Sequence, residues 1–280
     1  MKKILSLRRK NDAQITMGTI VTELTTVFFP PKRFTPYENI RELKNDIDNG
    51  VGYSDHLPAK GEIYLDGNKV KILSLNHLTN RYKSWSYGRY QPAAARAAIA
   101  INKEILPSKA DIIFFQELDR EAFSVYENHP EIRARYNIFH SATNYNRDGQ
   151  AILMAKGFKY LGFDRFVPFH FDLKKGFFHM KIKSPTGKIL HLINVHVPWD
   201  KPEGVKKRIP AYNILKDYIK KCCRSEAVII AGDFNHSSPI DNYRYLDKDY
   251  KVTSNIRKSA IENDRGKPKL KVIDFIIYRP

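Results

Sequence analysis

Polar residues at the ends of apolar runs are the candidate chemistry of this sequence. They are Asn76 after KILSL, Glu117 after DIIFFQ, His196 after INV, Asp233 and Asn235 in AGDFN, and Asp274 within KVIDFIIY. Carboxylates and amides with few imidazoles and no cysteine are hard ligands that suit Mg²⁺ or Mn²⁺ rather than Zn²⁺. Such an ion polarises a phosphoryl oxygen and steadies the leaving oxygen. We therefore expect a metal-assisted phosphoryl site if these ends meet.

Each of these residues alone has an ordinary structural explanation, and Asp274 is the least ordinary of them. A carboxylate inside an apolar strand is costly unless it has a partner. The segment YSDHLP at 53–58 contains a histidine, His56, beside Asp55. A histidine is the obvious candidate for the partner that Asp274 needs.

Apolar strands, several joined in hairpins, alternate with helices along most of the chain. The sequence predicts hairpins over 61–78, around Asp66-Gly67, and over 177–198, around residues 185–187; strands over 111–117, 150–155, 227–231 and 271–278; and helices over 91–106 and 203–223. This order indicates an α/β sandwich with packed sheets inside and helices outside. Residues 15–29, ITMGTIVTELTTVFF, are too short and too polar to span a bilayer and are expected to form a strand.

The composition points to a polyanionic partner. The chain has 280 residues with 48 Lys and Arg against 30 Asp and Glu, a formal net charge of +18. Such a surface favours nucleic acid, an anionic membrane or phosphorylated small molecules, and a solvated basic surface without a ligand stays open. The two cysteines, Cys222 and Cys223, are adjacent, which excludes a disulfide framework and fits a reducing compartment such as the cytoplasm. Delivery into another cell by a non-classical route stays open.

The motifs KILSLN, DIIFFQE, INVHVP, AGDFN and VIDFIIY, in this order, resemble those of the endonuclease/exonuclease/phosphatase superfamily, which has the DNase I-like fold. The resemblance implies a four-layer α/β sandwich, two packed mixed β-sheets flanked by helices, over residues 53–280, with residues 1–52 as an N-terminal extension packed on the domain. The family's Ser-Asp-His-x-Pro motif normally follows the Ile-Asp strand near the C-terminus. Here it is Ser54-Asp55-His56-Leu57-Pro58, so we expect a circular permutant in which Asp66-Gly67 joins the former last and first strands.

The resemblance also implies roles for the candidate residues. Glu117 is the expected principal metal ligand for Mg²⁺ or Mn²⁺, with Asn76 nearby and Asp55 contributing. Asp233 would orient the attacking water, and Asn235 and His196 would contact the phosphate or leaving group. His56 would act on the water or the phosphate, with Asp274 fixing its tautomer.

A nuclease is the leading expectation for function, and DNA and RNA are both candidate substrates. Arg81 and Tyr87, in a loop with Tyr82, Lys83 and Trp85, are expected to flank the site and contact nucleic acid. A phosphoinositide or inositol phosphate phosphatase of the same superfamily is the alternative, although GDFNHSSP lacks the Tyr-Arg typical of inositol 5-phosphatases. A non-catalytic polyanion-binding module is the third reading. A monomer is expected in each case.

Overall fold

The structure is a computed structural model in which residues 39–280 are described. Within that range the residues left out are 81–85, 87, 142–148, 170–171, 199–201, 237–249, 255–258, 265–266 and 272. The strand expected over 15–29 lies outside the described residues, as do the two predicted contact residues Arg81 and Tyr87. The boundary expected at residue 52 therefore stays a prediction.

Five strands form the first sheet. They are β1 (Ala59–Leu65), β2 (Asn68–Asn76), β3 (Ile112–Leu118), β4 (Tyr136–Ser141) and β5 (Gly149–Ala155), in the order β1-β2-β3-β5-β4. The predicted hairpin between β1 and β2 is present and turns through Asp66 and Gly67, which both have positive φ. Strands β2 and β3 run parallel, whereas the other pairs are antiparallel.

Six strands form the second sheet. They are β6 (Lys159–Phe169), β7 (Asp172–Lys183), β8 (Ile189–His196), β9 (Ala227–Asp233), β10 (Lys251–Val252) and β13 (Asp274–Arg279), in the order β10-β13-β9-β8-β7-β6. Strands β8 and β9 are parallel. A separate hairpin pairs β11 (Ala260–Asp264) with β12 (Lys267–Lys271).

The helices connect these strands. They are α1 (Ile40–Asp48), α2 (Ala93–Ala100), a π-helical turn (Ile101–Ile105), α3 (Leu106–Ser108), α4 (Arg120–Asn128), α5 (Pro130–Arg135) and α6 (Pro202–Cys222). The predicted helix over 91–106 thus begins at Ala93 and continues to Ser108. No helix among the described residues is long and apolar enough to cross a bilayer.

The main hydrophobic core lies between the two sheets. Side chains such as Ile72, Phe114 and Ile152 of the first sheet meet Met180, Leu192 and Ile229 of the second, all buried. A second cluster packs α6 onto the other face of the second sheet, through residues such as Tyr212, Leu215 and Ile219. The predicted packing of two mixed sheets with helices outside is confirmed.

Asp274 lies in a strand, as predicted, but the strand predicted over 271–278 begins later than expected. Strand β12 ends at Lys271, and β13 begins at Asp274 itself. The reason is local, because the Oγ of Ser259 accepts hydrogen bonds from the backbone N–H groups of Ile273 and Asp274, each at 3.1 Å. At the point where β13 starts, the backbone amides therefore donate to the side chain of Ser259.

A buried pair of amide side chains connects the two sheets within this apolar core. Asn194 donates from Nδ2 to the carbonyl oxygens of Phe115 at 2.7 Å and Ala151 at 3.0 Å, and its Oδ1 accepts from Gln116 Nε2 at 2.7 Å. Buried amides are tolerated where such bonds are made. These bonds link β8 to β3 and β5 across the interface.

We expect Asn194→Ala to lower the free energy of unfolding by about 3 kcal/mol or more, because three buried partners lose their hydrogen bonds at roughly 1–3 kcal/mol each. Denaturant unfolding measures the change. Asn137→Ala, on an exposed position of β4, is the control and should change it by less than about 0.5 kcal/mol. Equal effects of the two substitutions would contradict the assignment of the amide bridge.

Candidate active site

The strand ends bring most of the predicted site residues together. Asp233 at the end of β9 is in register with both His196 on β8 and Asp274 on β13. Asn76, the last residue of β2, donates from Nδ2 to Asp233 Oδ2 at 3.0 Å, which joins the first sheet to the second. The carboxyl ends of parallel strands share one edge of a sheet, so this clustering is a consequence of topology.

His56 lies against Asp274, as the sequence predicts. Its Nδ1 is 2.8 Å from Asp274 Oδ2, and both side chains are buried. Ser54 holds the loop in place, because its Oγ donates to the carbonyl oxygen of Asn76 at 2.7 Å and accepts from the His56 N–H at 3.1 Å. Asp55 is close by, with its Oδ1 3.8 Å from His56 Nε2.

The charge on His56 follows from this environment. Burial lowers its pKa, but the carboxylates of Asp274, Asp55 and Asp233 together outweigh burial and hold the pKa of His56 well above its usual value. The imidazole is therefore protonated at neutral pH. His56 therefore places a positive charge next to the carboxyl groups of Asp274, Asp55 and Asp233.

Asp233 is a carboxyl group with a displaced pKa. Burial, followed by the nearby Asp274 charge, raises the pKa of Asp233 to about 7. Its Oδ1 accepts from the Asn235 N–H at 2.8 Å, and its Oδ2 accepts from the side-chain amides of Asn76 and Asn235. Asn235 also donates from Nδ2 to the Val197 carbonyl oxygen at 2.8 Å, so its contact with a phosphate requires one of these bonds to be exchanged.

Glu117 lies at an irregular point of β3. Its φ is +54°, unusual for a residue other than glycine, and the pairing of β3 with β5 is shifted between Phe115 and Leu118. Such backbone geometry is often found at functional sites. The carboxylate accepts from the Thr79 N–H at 3.2 Å and lies 3.4 Å from His196 Nε2.

Arg96 of α2 supports the segment that holds Glu117. Its buried guanidinium donates to the carbonyl oxygens of Leu78 and Gln91 and to Asn80 Oδ1. These bonds fix the backbone on both sides of Thr79. Sequence reasoning did not single out Arg96, because one arginine in an alanine-rich helix does not indicate an inward direction.

Lys175 is a site residue that sequence reasoning missed. It is buried on β7, with its Nζ 3.6 Å from Glu117 Oε1 and within hydrogen-bonding distance of both ring nitrogens of His196, 2.6 Å from Nε2 and 3.2 Å from Nδ1. Burial, then the charge of Lys175, and then that of His56 hold the pKa of His196 well below its usual value, so this imidazole is neutral. The sequence has two adjacent lysines at 174 and 175, and no pattern in it indicates that Lys175 is buried.

The donor set fits a divalent cation. Glu117, His196 and Asp233 have ligand atoms within 4.8 Å of one another, and so do His56, Asp233 and Asp274. Asp55 Oδ1 is buried without a hydrogen-bond partner, as expected of an oxygen available to an ion. Asp55 and Glu117 remain the predicted ligands, although Asp55 is in neither of these two groups. Asn76 is already engaged, with Oδ1 accepting from the Leu78 N–H.

We expect the Asp233 carboxyl to contribute a stabilisation of the metal-free protein that decreases as the pH rises from about 4 to 6. Burial and the nearby Asp274 charge raise the pKa of folded Asp233 to about 7, whereas its ordinary pKa of 3.8 applies in the unfolded chain. Over this window the folded state therefore binds more protons at Asp233, and the stabilisation shrinks as the pH rises. Asp233→Asn should remove this contribution to the pH slope, which amounts to a few kcal/mol over the window, on the order of 1.4 kcal/mol for each unit of pKa difference.

Denaturant unfolding in EDTA at a series of pH values measures this slope. The window ends below about 6.5, where His56, with its raised folded-state pKa, adds a slope of the same sign. Asp66→Asn, at the exposed β1–β2 turn, controls for the loss of one carboxylate. A slope unchanged by Asp233→Asn would contradict the displaced pKa.

Comparison with known proteins places this site in a family. A model of the "Endonuclease/Exonuclease/phosphatase family" matches residues 74–280. The comparison with curated proteins gives no match.

Three solved structures show the likeness of fold. D. rerio TDP2 complexed with single strand DNA product is 18% identical with a TM-score of 0.58, covering 75% of this chain and 83% of that one. C. elegans TDP2 is 18% identical with a TM-score of 0.58, covering 78% and 67%. The human nocturnin catalytic domain with bound sulfate anion is 14% identical with a TM-score of 0.52, covering 78% and 85%. The family match extends over well more than half of the sequence, and the chain belongs to the endonuclease/exonuclease/phosphatase family, with its DNase I-like fold.

Proposed function

We propose that this chain is a divalent-metal-dependent phosphodiesterase that hydrolyses phosphodiester bonds of nucleic acid. Members of its family are generally phosphoric ester hydrolases that depend on divalent metal. The observation that carries the proposal is the contact of His56 with Asp274 beside the Asp233 and Glu117 carboxylates. A binding module has no need of this buried and electrostatically costly arrangement.

Asp233 is suited to act as the general base. A catalytic base works best when its pKa lies near the working pH, and the pKa of Asp233 is about 7. The amides of Asn76 and Asn235 hold its carboxylate in one orientation. Asp233 would accept a proton from the attacking water.

His56 is suited to bind the phosphate as a cation. Its raised pKa keeps the ring protonated, and Asp274 on Nδ1 fixes the direction in which Nε2 points. A protonated imidazole would neutralise charge that develops on the phosphoryl oxygens. The neutral His196 would donate an N–H to the phosphate or the leaving oxygen.

A divalent ion bound at Glu117 would supply Lewis-acid stabilisation of the phosphoryl and leaving oxygens. Lys175 lies near the same carboxylate, 3.6 Å from Oε1. This second cation would compensate charge on Glu117 and keep His196 neutral.

The net charge of the chain favours nucleic acid as the substrate. A formal charge of +18 attracts a polyphosphate backbone. The related fold of D. rerio TDP2, determined with a single strand DNA product, supports the same class. The loop with Arg81 and Tyr87, outside the described residues, would extend this contact.

We also propose that the chain is a circular permutant of the family. The family match begins at Ser74, inside β2, so the Ser54-Asp55-His56 motif precedes the matched region. Strand β1, which follows this motif, pairs with β2 along its whole length through the turn at Asp66 and Gly67. A turn of two residues would therefore join strands that the family carries at opposite ends.

We expect metal-dependent cleavage of single-stranded DNA or RNA oligonucleotides by the purified full chain, abolished by EDTA. Glu117→Gln and His56→Gln should each lower turnover by at least about 100-fold, the usual cost of removing a group that stabilises charge in the transition state. Glu62→Gln, an exposed carboxylate on β1, is the control and should keep wild-type turnover. Metal-dependent release of phosphate from phosphoinositides alone would assign a phosphatase instead, and polyanion binding without turnover a binding module.

We expect a rearranged chain that begins at Gly67 and carries residues 1–66 behind Pro280, through a flexible linker, to fold and retain turnover within about tenfold. The hairpin turn is the only native connection broken, and β1 can still pair with β2 because the new ends, Asp66 and Gly67, lie in an exposed turn where a cut is tolerated. Thermal unfolding and the oligonucleotide assay measure the outcome. An insoluble or inactive rearranged chain would count against the permutation.

A further inference from the structure

A second cluster of buried polar side chains lies away from the candidate active site. His179 on β7 and His191 on β8 lie on the face of the second sheet that α6 covers, and Cys223 directly follows α6. All three are fully buried. His191 precedes the active-site His196 by five residues on the same strand, which is about 17 Å at the rise of a β-strand.

The three side chains present their ligand atoms to one another. His179 Nε2 is 2.8 Å from His191 Nδ1, and one ring nitrogen of each histidine and Cys223 Sγ all lie within 4.8 Å of one another. Strand register produces the approach of the rings, since His179 pairs with Ile193 and His191 with Lys181, which makes the histidines diagonal neighbours. The end of α6 brings the thiol over them.

The outward nitrogen of each ring has an oxygen partner. His191 Nε2 lies 2.5 Å from Glu226 Oε2, and His179 Nδ1 lies 2.9 Å from the hydroxyl of Tyr218. Histidines that bind metals almost always donate the other ring N–H to such an oxygen, which fixes the tautomer and the ring orientation. This arrangement of outer partners is what a metal site requires.

The tautomer of His191 follows from its partner. A carboxylate only accepts, so the hydrogen of neutral His191 resides on Nε2 and its lone pair is on Nδ1, directed at the cluster. Burial lowers the pKa of His191 in spite of the Glu226 charge, which supports the neutral ring. When His179 donates from Nδ1 to Tyr218, its Nε2 also has a lone pair directed at the same point.

We propose that His179 Nε2, His191 Nδ1 and Cys223 Sγ bind a Zn²⁺ ion, with a water molecule in the fourth position. Two imidazoles and a thiolate are a ligand set that suits zinc. Tetrahedral zinc with Zn–N bonds of 2.0–2.1 Å places two nitrogens about 3.3 Å apart, so the rings separate by roughly 0.5 Å. Glu226 orients His191 from the far side of the ring.

The charges of the cluster balance in this arrangement. Binding displaces the Cys223 thiol proton to solvent, against the effect of burial, which raises the pKa of the metal-free thiol to about 12. Zinc, one thiolate and two neutral rings have a net charge of +1, which faces the Glu226 carboxylate. Lys181 keeps its ion pair with Glu226 at 2.8 Å.

A chain of hydrogen bonds without metal is the rival arrangement. Tyr218 would donate to His179 Nδ1, His179 Nε2 to His191 Nδ1, and His191 Nε2 to Glu226. That chain satisfies the hydrogen bonding of His179, His191 and Glu226, but it gives Cys223 no role. Thiolate ligation therefore distinguishes the two arrangements.

Cobalt substitution tests this site without using activity. The chain contains only Cys222 and Cys223, so a thiolate-to-cobalt charge-transfer band in chelator-stripped full-length protein cannot come from a metal at Glu117. We expect Co²⁺ to give this band with one equivalent, Zn²⁺ to abolish it, and Cys222→Ser to retain it. Cys223→Ser should lose it. Its Zn²⁺-induced rise in Tm should also be smaller than that of the wild type by roughly 5–10 °C, the rise that Zn²⁺ at 100 times the Kd of this site gives to a domain of this size.

The wild-type titration decides the proposal even if Cys223→Ser does not fold. Absence of the band in the wild type, its persistence in Cys223→Ser, or its loss in Cys222→Ser would each overturn the site. The first of these results would assign the cluster to the hydrogen-bonded chain. Loss of nuclease activity is not a readout here, so the proposed function and the zinc site fail independently.

Discussion

The buried hydrogen bond between His56 and Asp274 is the interaction on which the site depends. It joins a loop near the beginning of the described chain to the last strand. A charge left alone in such a place costs about 3–5 kcal/mol, so neither residue is tolerable without the other. The two serines nearby serve this contact, because Ser54 anchors the loop and Ser259 fixes the start of β13.

Charge balance explains how so many acids can lie together. Glu117, Asp233 and Asp274 are buried in one region, with His56 and Lys175 as the cations that face them. Two cations do not balance three carboxylates. Asp233 therefore keeps its proton up to near neutral pH. A divalent ion and a phosphate group would enter this site as additional charges of opposite sign.

The sequence predicted the strands and the contacts that depend on their order. Apolar runs bounded by turn residues indicated the hairpin at Asp66-Gly67 and the strands that end at Asn76, Glu117, His196 and Asp233. The cost of burying a carboxylate indicated that Asp274 needs a partner, for which a histidine was the obvious candidate. The family resemblance identified that histidine as His56. Roles assigned to these residues remain predictions.

Features that depend on how side chains are oriented in the tertiary structure were missed. The inward orientations of Lys175 and Arg96 are set by the surrounding sheet and loop, and neither has a local pattern that indicates it. The boundary of β13 was misplaced because Ser259, 15 residues earlier, captures the amide of Asp274. The cluster under α6 was also missed, since His179, His191 and Cys223 show no regular spacing.

The amide bridge between the sheets has a consequence for the dimensions of the site. Gln116 directly precedes Glu117, and Asn194 lies two residues before His196, so the bridge is located beside two site residues that contact each other. The directional bonds oppose sliding of one sheet over the other, which non-directional apolar contacts permit more readily. Substitutions deeper in the apolar core can therefore weaken packing, while Asn194 and Gln116 still hold the Glu117 carboxylate and the His196 imidazole at the same distance.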